Sequence, residues 1–210
     1  MNNTYYVLND DQQEGPFTYE ELTEKGLDVH TRILSPITNA WQDACDLPEF
    51  YGYFESLGIY FPTGDNLASF GWRLLAYVID YVILSILLNF VFKIFSSYGI
   101  IFNLHSYNDL LKLPVSSILL LQLITSVTLI IYNSIGEASQ MRGSVGKRLC
   151  SMVVVDVDGM RLTYPNALLR SLGKAISIFL LYTGFISIFF SEHRQALHDY
   201  LAKTYVIKRN

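Results

Sequence analysis

The sequence has little charge, only two cysteines and no recognisable catalytic motif, and each shortage excludes a class of protein. Charged residues make up 16% of the 210, and mean hydropathy is +0.28. That balance excludes an ordinary soluble globule and points to a membrane protein with a soluble part. Cys45 and Cys150 lie far apart without paired spacing, which excludes a disulfide framework and fits a reducing compartment. The N-terminal stretch MNNTYYVLNDDQQEG has neither the basic nor the apolar region of a signal peptide, so the head is expected to stay cytoplasmic. No nucleophile elbow, catalytic triad or carboxylate pair is readable, so the chain is expected to be no enzyme and to carry no cofactor. His193, Arg194, His198 and Asp199 stand together but match no common metal spacing, so no metal is expected.

What charge there is falls unevenly. Residues 1–66 hold Lys25 and Arg32 against twelve acids, a net of −10, while residues 67–210 hold thirteen cations against seven acids, a net of +6. An acidic head on a basic apolar body fits cations retained on the cytoplasmic face of a membrane. It does not fit nucleic-acid binding, which calls for a basic soluble part.

Residues 1–50 read as a small α+β unit. Thr4–Leu8 has strand composition and Asn9–Glu14 reads as a polar turn. Thr18 can cap a helix over Tyr19–Lys25, with Glu20 and Glu21 in its first turn and Gly26 at its end. Thr31–Leu34 reads as a second strand, and Trp41, Leu47 and Phe50 as closing core residues. Residues 51–69 read as a linker ending on an interfacial aromatic belt of Tyr60, Phe61, Phe70 and Trp72.

Residues 70–208 form a helical, polytopic membrane domain in this reading. Spans are expected at about 74–92 and 115–135, each near the roughly 20 residues a bilayer needs. Val153–Val157 and the Asp158-Gly159 turn predict a short hairpin. A third apolar segment, about 167–190, is flanked by cations on both sides. It reads equally as a full span starting at Ala167 or as a re-entrant or in-plane helix bent near Gly184.

The sharpest candidate is Asp80, an acid inside the first apolar run, with Arg73 seven residues earlier on nearly the same face. Their axial separation is about 10 Å, too long for a tight pair. Asp80 reads either as a proton- or cation-binding group or as a structural, hydrogen-bonded acid. Arg73 reads as an anchor or ion-pair holder, and Asp199 as a partner for Arg73 or Arg194. In the second run, Gln122 and Asn133 could face Asp80, and Glu137 closes it. Gly143-Ser-Val-Gly146-Lys147-Arg148 lacks the spacing and hydroxyl of a phosphate loop. It is expected to be a basic turn at lipid headgroups.

Three ordered blocks carry a resemblance: Arg73-Leu-Leu-Ala-Tyr-Val-Ile-Asp80; Gly143 to Leu149, followed by Val153-Val-Val-Asp156-Val-Asp-Gly159; and Arg194 to Val206 with Asp199 inside. Together they resemble the RDD family of membrane proteins. The resemblance implies Arg73, Asp80 and Asp199 as the intramembrane ionic residues, and a transport role such as sodium/proton exchange. In the head, Tyr6, Gly15-Pro16-Phe17, Leu22 and Trp41 are similar to bacterial GYF-like domains. That implies a groove for proline-rich peptide, with Tyr6, Phe17 and Trp41 as candidates. Tyr5 and Tyr6 stand where the adaptor motif opens with tryptophan, and Gly52-Tyr53-Phe54 falls after the domain.

Two functions follow as expectations. One is a small transporter, or a subunit of one, moving protons or cations, present as a homo-oligomer or complex subunit in the plasma (inner) membrane. The other is a membrane-anchored scaffold whose head binds a cytoplasmic partner.

Overall fold

The computed structural model describes residues 4–9, 12–97, 114–179 and 183–209. The chain divides into two units: Met1–Phe61 with Val157–Met160, and Pro62–Asp156 with Arg161–Asn210. Most of the connection between the apolar runs and the middle of the third apolar segment lie outside the described residues.

The first unit is an antiparallel sheet of four strands in the order β2-β1-β3-β4. Its strands are β1 (Tyr5–Asn9), β2 (Gln12–Phe17), β3 (Arg32–Leu34) and β4 (Trp41–Asp43). Of the stretch expected as a polar turn, Asn9 ends β1 and Gln12–Glu14 open β2, which pairs with β1 from Tyr5↔Phe17 to Asn9↔Gln12. Helix α1 (Tyr19–Lys25) opens with a full capping box: the Thr18 hydroxyl accepts from the Glu21 N–H, and the Glu21 carboxylate from the Thr18 N–H. These bonds satisfy two of the free donors at the helix start.

The head core corrects two expectations. Trp41 is only half-buried and is a strand residue, whereas Leu47 and Phe50 are fully buried. The expected linker belongs to the head as far as Phe61: α2 (Tyr51–Ser56) buries Phe54, and Tyr53 accepts a hydrogen bond from the Leu27 N–H at 3.0 Å. Phe50 stacks on Tyr19, and Phe54 meets Phe61 edge-on, each at 5.3 Å between ring centres. A unit this small needs those extra aromatics to close a core. Phe61 is therefore a core residue and not part of a membrane belt.

Among the described residues, the second unit contains two helices long and apolar enough to cross a membrane. They are Phe70–Val91 within α3 (Phe70–Ser97), and α4 (Val115–Ala138). After α4 come α5 (Val145–Leu149), β5 (Met152–Val155), α6 (Tyr164–Phe179), α7 (Thr183–Ile186), α8 (Leu197–Leu201) and β6 (Tyr205–Lys208). The expected hairpin is reduced to a single antiparallel bridge, Val155↔Arg161, across the Asp158-Gly159 turn. The fully buried β5 pairs with β6 in antiparallel register, Met152↔Lys208 through Val155↔Tyr205. A strand buried on both faces is apolar throughout, and Met152–Val155 fits that and not a polar-faced hairpin. Ala68, just before α3, donates to the Val206 carbonyl at 2.9 Å, so the entry to the first apolar helix is stitched to β6.

The third apolar segment begins as α6, whose 16 residues rise about 24 Å, short of a bilayer core. α6 packs along α4, and α8 packs back on α6.

Candidate functional site

In the second unit, α3 carries Arg73 and Asp80 along one face, α4 carries Glu137 in its last turn, and Ser144 caps the start of α5. Asp80 is buried and accepts three hydrogen bonds: from the Tyr132 hydroxyl at 2.7 Å, the Ser144 hydroxyl, and the Gly146 N–H at 2.7 Å. Tyr132 itself accepts from the Val145 N–H at 3.0 Å. The carboxylate therefore grips the first turn of α5, where free N–H groups favour an anion. Gly146 permits the approach: a Cβ there would lie 2.2 Å from the Ala76 carbonyl oxygen and 2.9 Å from the Asp80 carboxyl carbon.

One residue along α5, Lys147 turns the other way and pairs with Glu137. Glu137 also accepts from Arg170 of α6. Arg170 donates through Nε to Asp199 of α8 at 2.9 Å and through Nη2 to the same carboxylate. Asp199 then takes Arg73 Nη1 at 2.6 Å and the Ala196 N–H at 3.1 Å. The result is a continuous, buried chain Lys147–Glu137–Arg170–Asp199–Arg73 drawn from five helices. Burying so many charges is unfavourable unless each is paired and hydrogen-bonded, which most of these are.

The environment moves the titrating groups outside the apolar helices. Burial pushes the Lys147 ammonium down to about 7, against the pull of the Glu137 carboxylate. Burial would raise the Asp199 carboxyl, but the Arg170 and Arg73 guanidiniums and the Ala196 N–H hold it well below the usual range. His198 is 3% exposed, and burial pushes its imidazole down to about 3. At neutral pH it is an uncharged neighbour of Asp199, 3.5 Å away, and not a member of the ion chain.

The sequence candidates thus fall into two joined clusters. Arg73 and Asp199 meet directly, and Arg194 instead donates to the Leu67 carbonyl. Asp80 belongs to the α5 grip and connects to the ion chain through α5. Gln122 is exposed, and Asn133 bonds the Leu129 carbonyl in its own helix, so Tyr132 is the residue that reaches Asp80. The expected headgroup-touching turn is also corrected: Lys147 is buried and only Arg148 is exposed. The missed partners carried a signal. A serine, two glycines and a lysine within five residues can make a helix start close enough to cap a buried acid.

In the head, cross-strand pairing aligns Tyr6, Leu34 and Trp41 in one row across β1, β3 and β4. Direct cross-strand partners share a face. This face is opposite the core face of Tyr5 and Ile33. Phe17 lies apart from it, against the head core, with the Lys25 ammonium 4.0 Å from its ring centre. His30, Asp43 and Cys45 bring one ligand-type atom each within 4.8 Å of one another, with His30 exposed.

Comparison with known proteins follows this division. The RDD family model matches residues 67–203, and the GYF domain 2 model matches residues 5–50. Uncharacterized protein YxaI of Bacillus subtilis (strain 168) is 32% identical over 146 residues, which is 67% of this chain and 96% of that protein. No solved structure matches.

Proposed function

The chain belongs to the RDD family, and from that premise we propose a membrane-type, non-enzymatic protein that moves protons or cations, or serves as a subunit of such a transporter. One observation carries the reading: a buried, unbroken chain of five charged residues joins the ends of two apolar helices. Apolar residues would fill that space at no electrostatic penalty, and buried ionisable groups gathered at the ends of membrane-length helices point to function. Lys147, held near 7, supports proton exchange by the chain around neutral pH. In this reading Asp80 holds α5 against α3 and so positions Lys147. Two apolar helices make a narrow body, so a second copy or another subunit completes the pathway. The protein sits in the inner membrane with its head in the cytoplasm.

The test is ion flux in proteoliposomes under imposed pH and cation gradients. Wild-type protein is expected to carry a flux that falls at least about tenfold in Glu137→Gln and in Asp80→Asn. Equal flux in all three, or none from correctly folded wild type, would overturn the reading of this chain as a transporter in its own right.

A second reading, a scaffold, has its own observation: the half-buried row of two aromatics and a leucine, Tyr6, Leu34 and Trp41. Extended proline-rich peptides lose little entropy on such a surface. A proline-rich peptide is then expected to bind the full chain and to be lost in Trp41→Ala. Binding that survives Trp41→Ala and Tyr6→Ala would remove this surface from consideration.

A further inference from the structure

A cavity of about 240 Å³ lies between α3, α6 and the segment from Phe185 to His198. α4 packs along α6 and α5 packs on α3, which leaves α3 and α6 apart at this level. Four cations line the space: Arg73, Lys147, Arg170 and Lys174. Asp80 is the lining carboxylate. The rest of the wall is mainly apolar, including Phe70, Leu74, Tyr77 and Phe185.

The donors are not equally committed. Every Arg170 nitrogen has a partner, and Lys147 is held by Glu137. Arg73 Nη2 is buried with no hydrogen-bond partner among the described residues. Lys174 pairs with no carboxylate among the described residues, and its contact to the Asn133 side-chain oxygen is 3.5 Å long. His198 Nδ1, also on the wall, is buried without a hydrogen-bond partner among the described residues. Across both clusters four basic side chains face three carboxylates, Asp80, Glu137 and Asp199, so the basic groups outnumber the acids. A buried donor without an acceptor and a cation without an anion are each unfavourable.

We propose that this cavity holds the phosphate of an anionic bilayer lipid, with Lys174 Nζ and Arg73 Nη2 donating to its oxygens and its alkyl chain lying on Phe70, Leu74 and Tyr77. Charge complementarity and depth select this occupant. Arg73 lies in the first turn of an apolar helix, the level at which headgroups meet the apolar layer. Arginine and lysine side chains bind phosphate through charge-assisted bonds. A mainly apolar pocket with a few convergent polar groups is the usual form of a small-molecule site. The assignment rests on membrane residence and not on transport, and it is measured without flux.

The experiment uses the purified full chain in neutral maltoside detergent. It is titrated separately with dodecyl phosphate, sodium dodecanoate, dodecanol and inorganic phosphate. Unfolding temperature and native mass spectrometry report binding. Dodecyl phosphate is expected to raise the unfolding temperature and remain bound at one per chain, with dodecanoate weaker and dodecanol without effect. Lys174→Gln is expected to weaken dodecyl phosphate by about tenfold or more without shifting the ligand-free unfolding temperature, and Lys174→Arg to restore it. Dodecanol equal to dodecyl phosphate would overturn the role of the cations. Inorganic phosphate equal to dodecyl phosphate would overturn the lipid assignment in favour of a free anion. If Lys174→Gln fails to fold, the wild-type series still decides, because the head charge and the chain are varied independently.

Discussion

Gly146 shows how one missing side chain sets the site. With no Cβ it lets the start of α5 rest on the Ala76 carbonyl while its N–H reaches Asp80. Gly146→Ala is expected to push α5 off α3, lengthen all three Asp80 bonds and destabilise the protein by about 1–3 kcal/mol or more. Thermal unfolding in detergent checks this, and an unchanged midpoint would mean that α5 does not rest where it is described. A second residue-scale effect is acid sensitivity. His198 falls from an ordinary 6.5 to about 3 on folding, so between those values the unfolded chain holds a proton that the folded chain lacks. Its contribution to stability is therefore complete above pH 6.5 and is lost as pH falls toward 3. The Asp199 pairing has the same sign: present above its ordinary 3.8 and lost below it. The slope from one such group approaches ~1.4 kcal/mol per pH unit. His198→Gln should flatten the stability profile between pH 6.5 and 4 relative to wild type, as urea midpoints across that range would show. Asp80 and Arg73 were legible because charge in an apolar run stands out. Tyr132 was not, since an aromatic in such a run has no distinguishing pattern. Lys147 was misplaced because local sequence does not reveal which loop cation turns inward.

Among elements, local signals and long-range pairing behaved differently. α1 was readable to its ends because Thr18, Glu21 and Gly26 act within a few residues of one another. β5 was readable as a strand, but its partner β6 lies some fifty residues on. The Asp158-Gly159 turn brings back a single bridge, Val155↔Arg161, while the full ladder forms with β6. β2 was hidden by its polar sequence, QQEGPF, which an exposed edge strand tolerates. Glu137 is where this long-range assembly is most vulnerable. It closes α4, receives Lys147 of α5 and Arg170 of α6, and so ties three elements with one carboxylate. Glu137→Gln leaves two buried cations short of an anion and is expected to cost about 3–5 kcal/mol. Adding Lys147→Met to that variant should recover part of the loss. A double-mutant cycle in urea would measure the coupling, and strict additivity would show that the pair is not formed.

At the scale of the whole molecule, the charge split seen in the sequence becomes a statement about sides of a membrane. Ala68, just before α3, is hydrogen-bonded to Val206 of β6, and β6 pairs with β5, which follows α4. The chain before the first apolar helix and the chain after the second therefore meet on one side. That side carries Arg142, Lys147, Arg148 and Arg161 after α4, and Arg194, Lys203, Lys208 and Arg209 after α6, whereas the stretch 93–113 between the apolar helices holds Lys93 and Lys112. Cation-rich connections stay in the cytoplasm, so the head, entering α3 from that side, is expected there too. Ile37 offers a test, being 66% exposed in the turn between β3 and β4. Ile37→Cys, placed in a chain with Cys45 and Cys150 replaced by serine, should resist a membrane-impermeant maleimide in intact cells and react after permeabilisation. Labelling of intact cells would invert the orientation. The ion chain Lys147–Glu137–Arg170–Asp199–Arg73 would then lie at the outer face, where it would exchange protons with the outside medium and not with the cytoplasm.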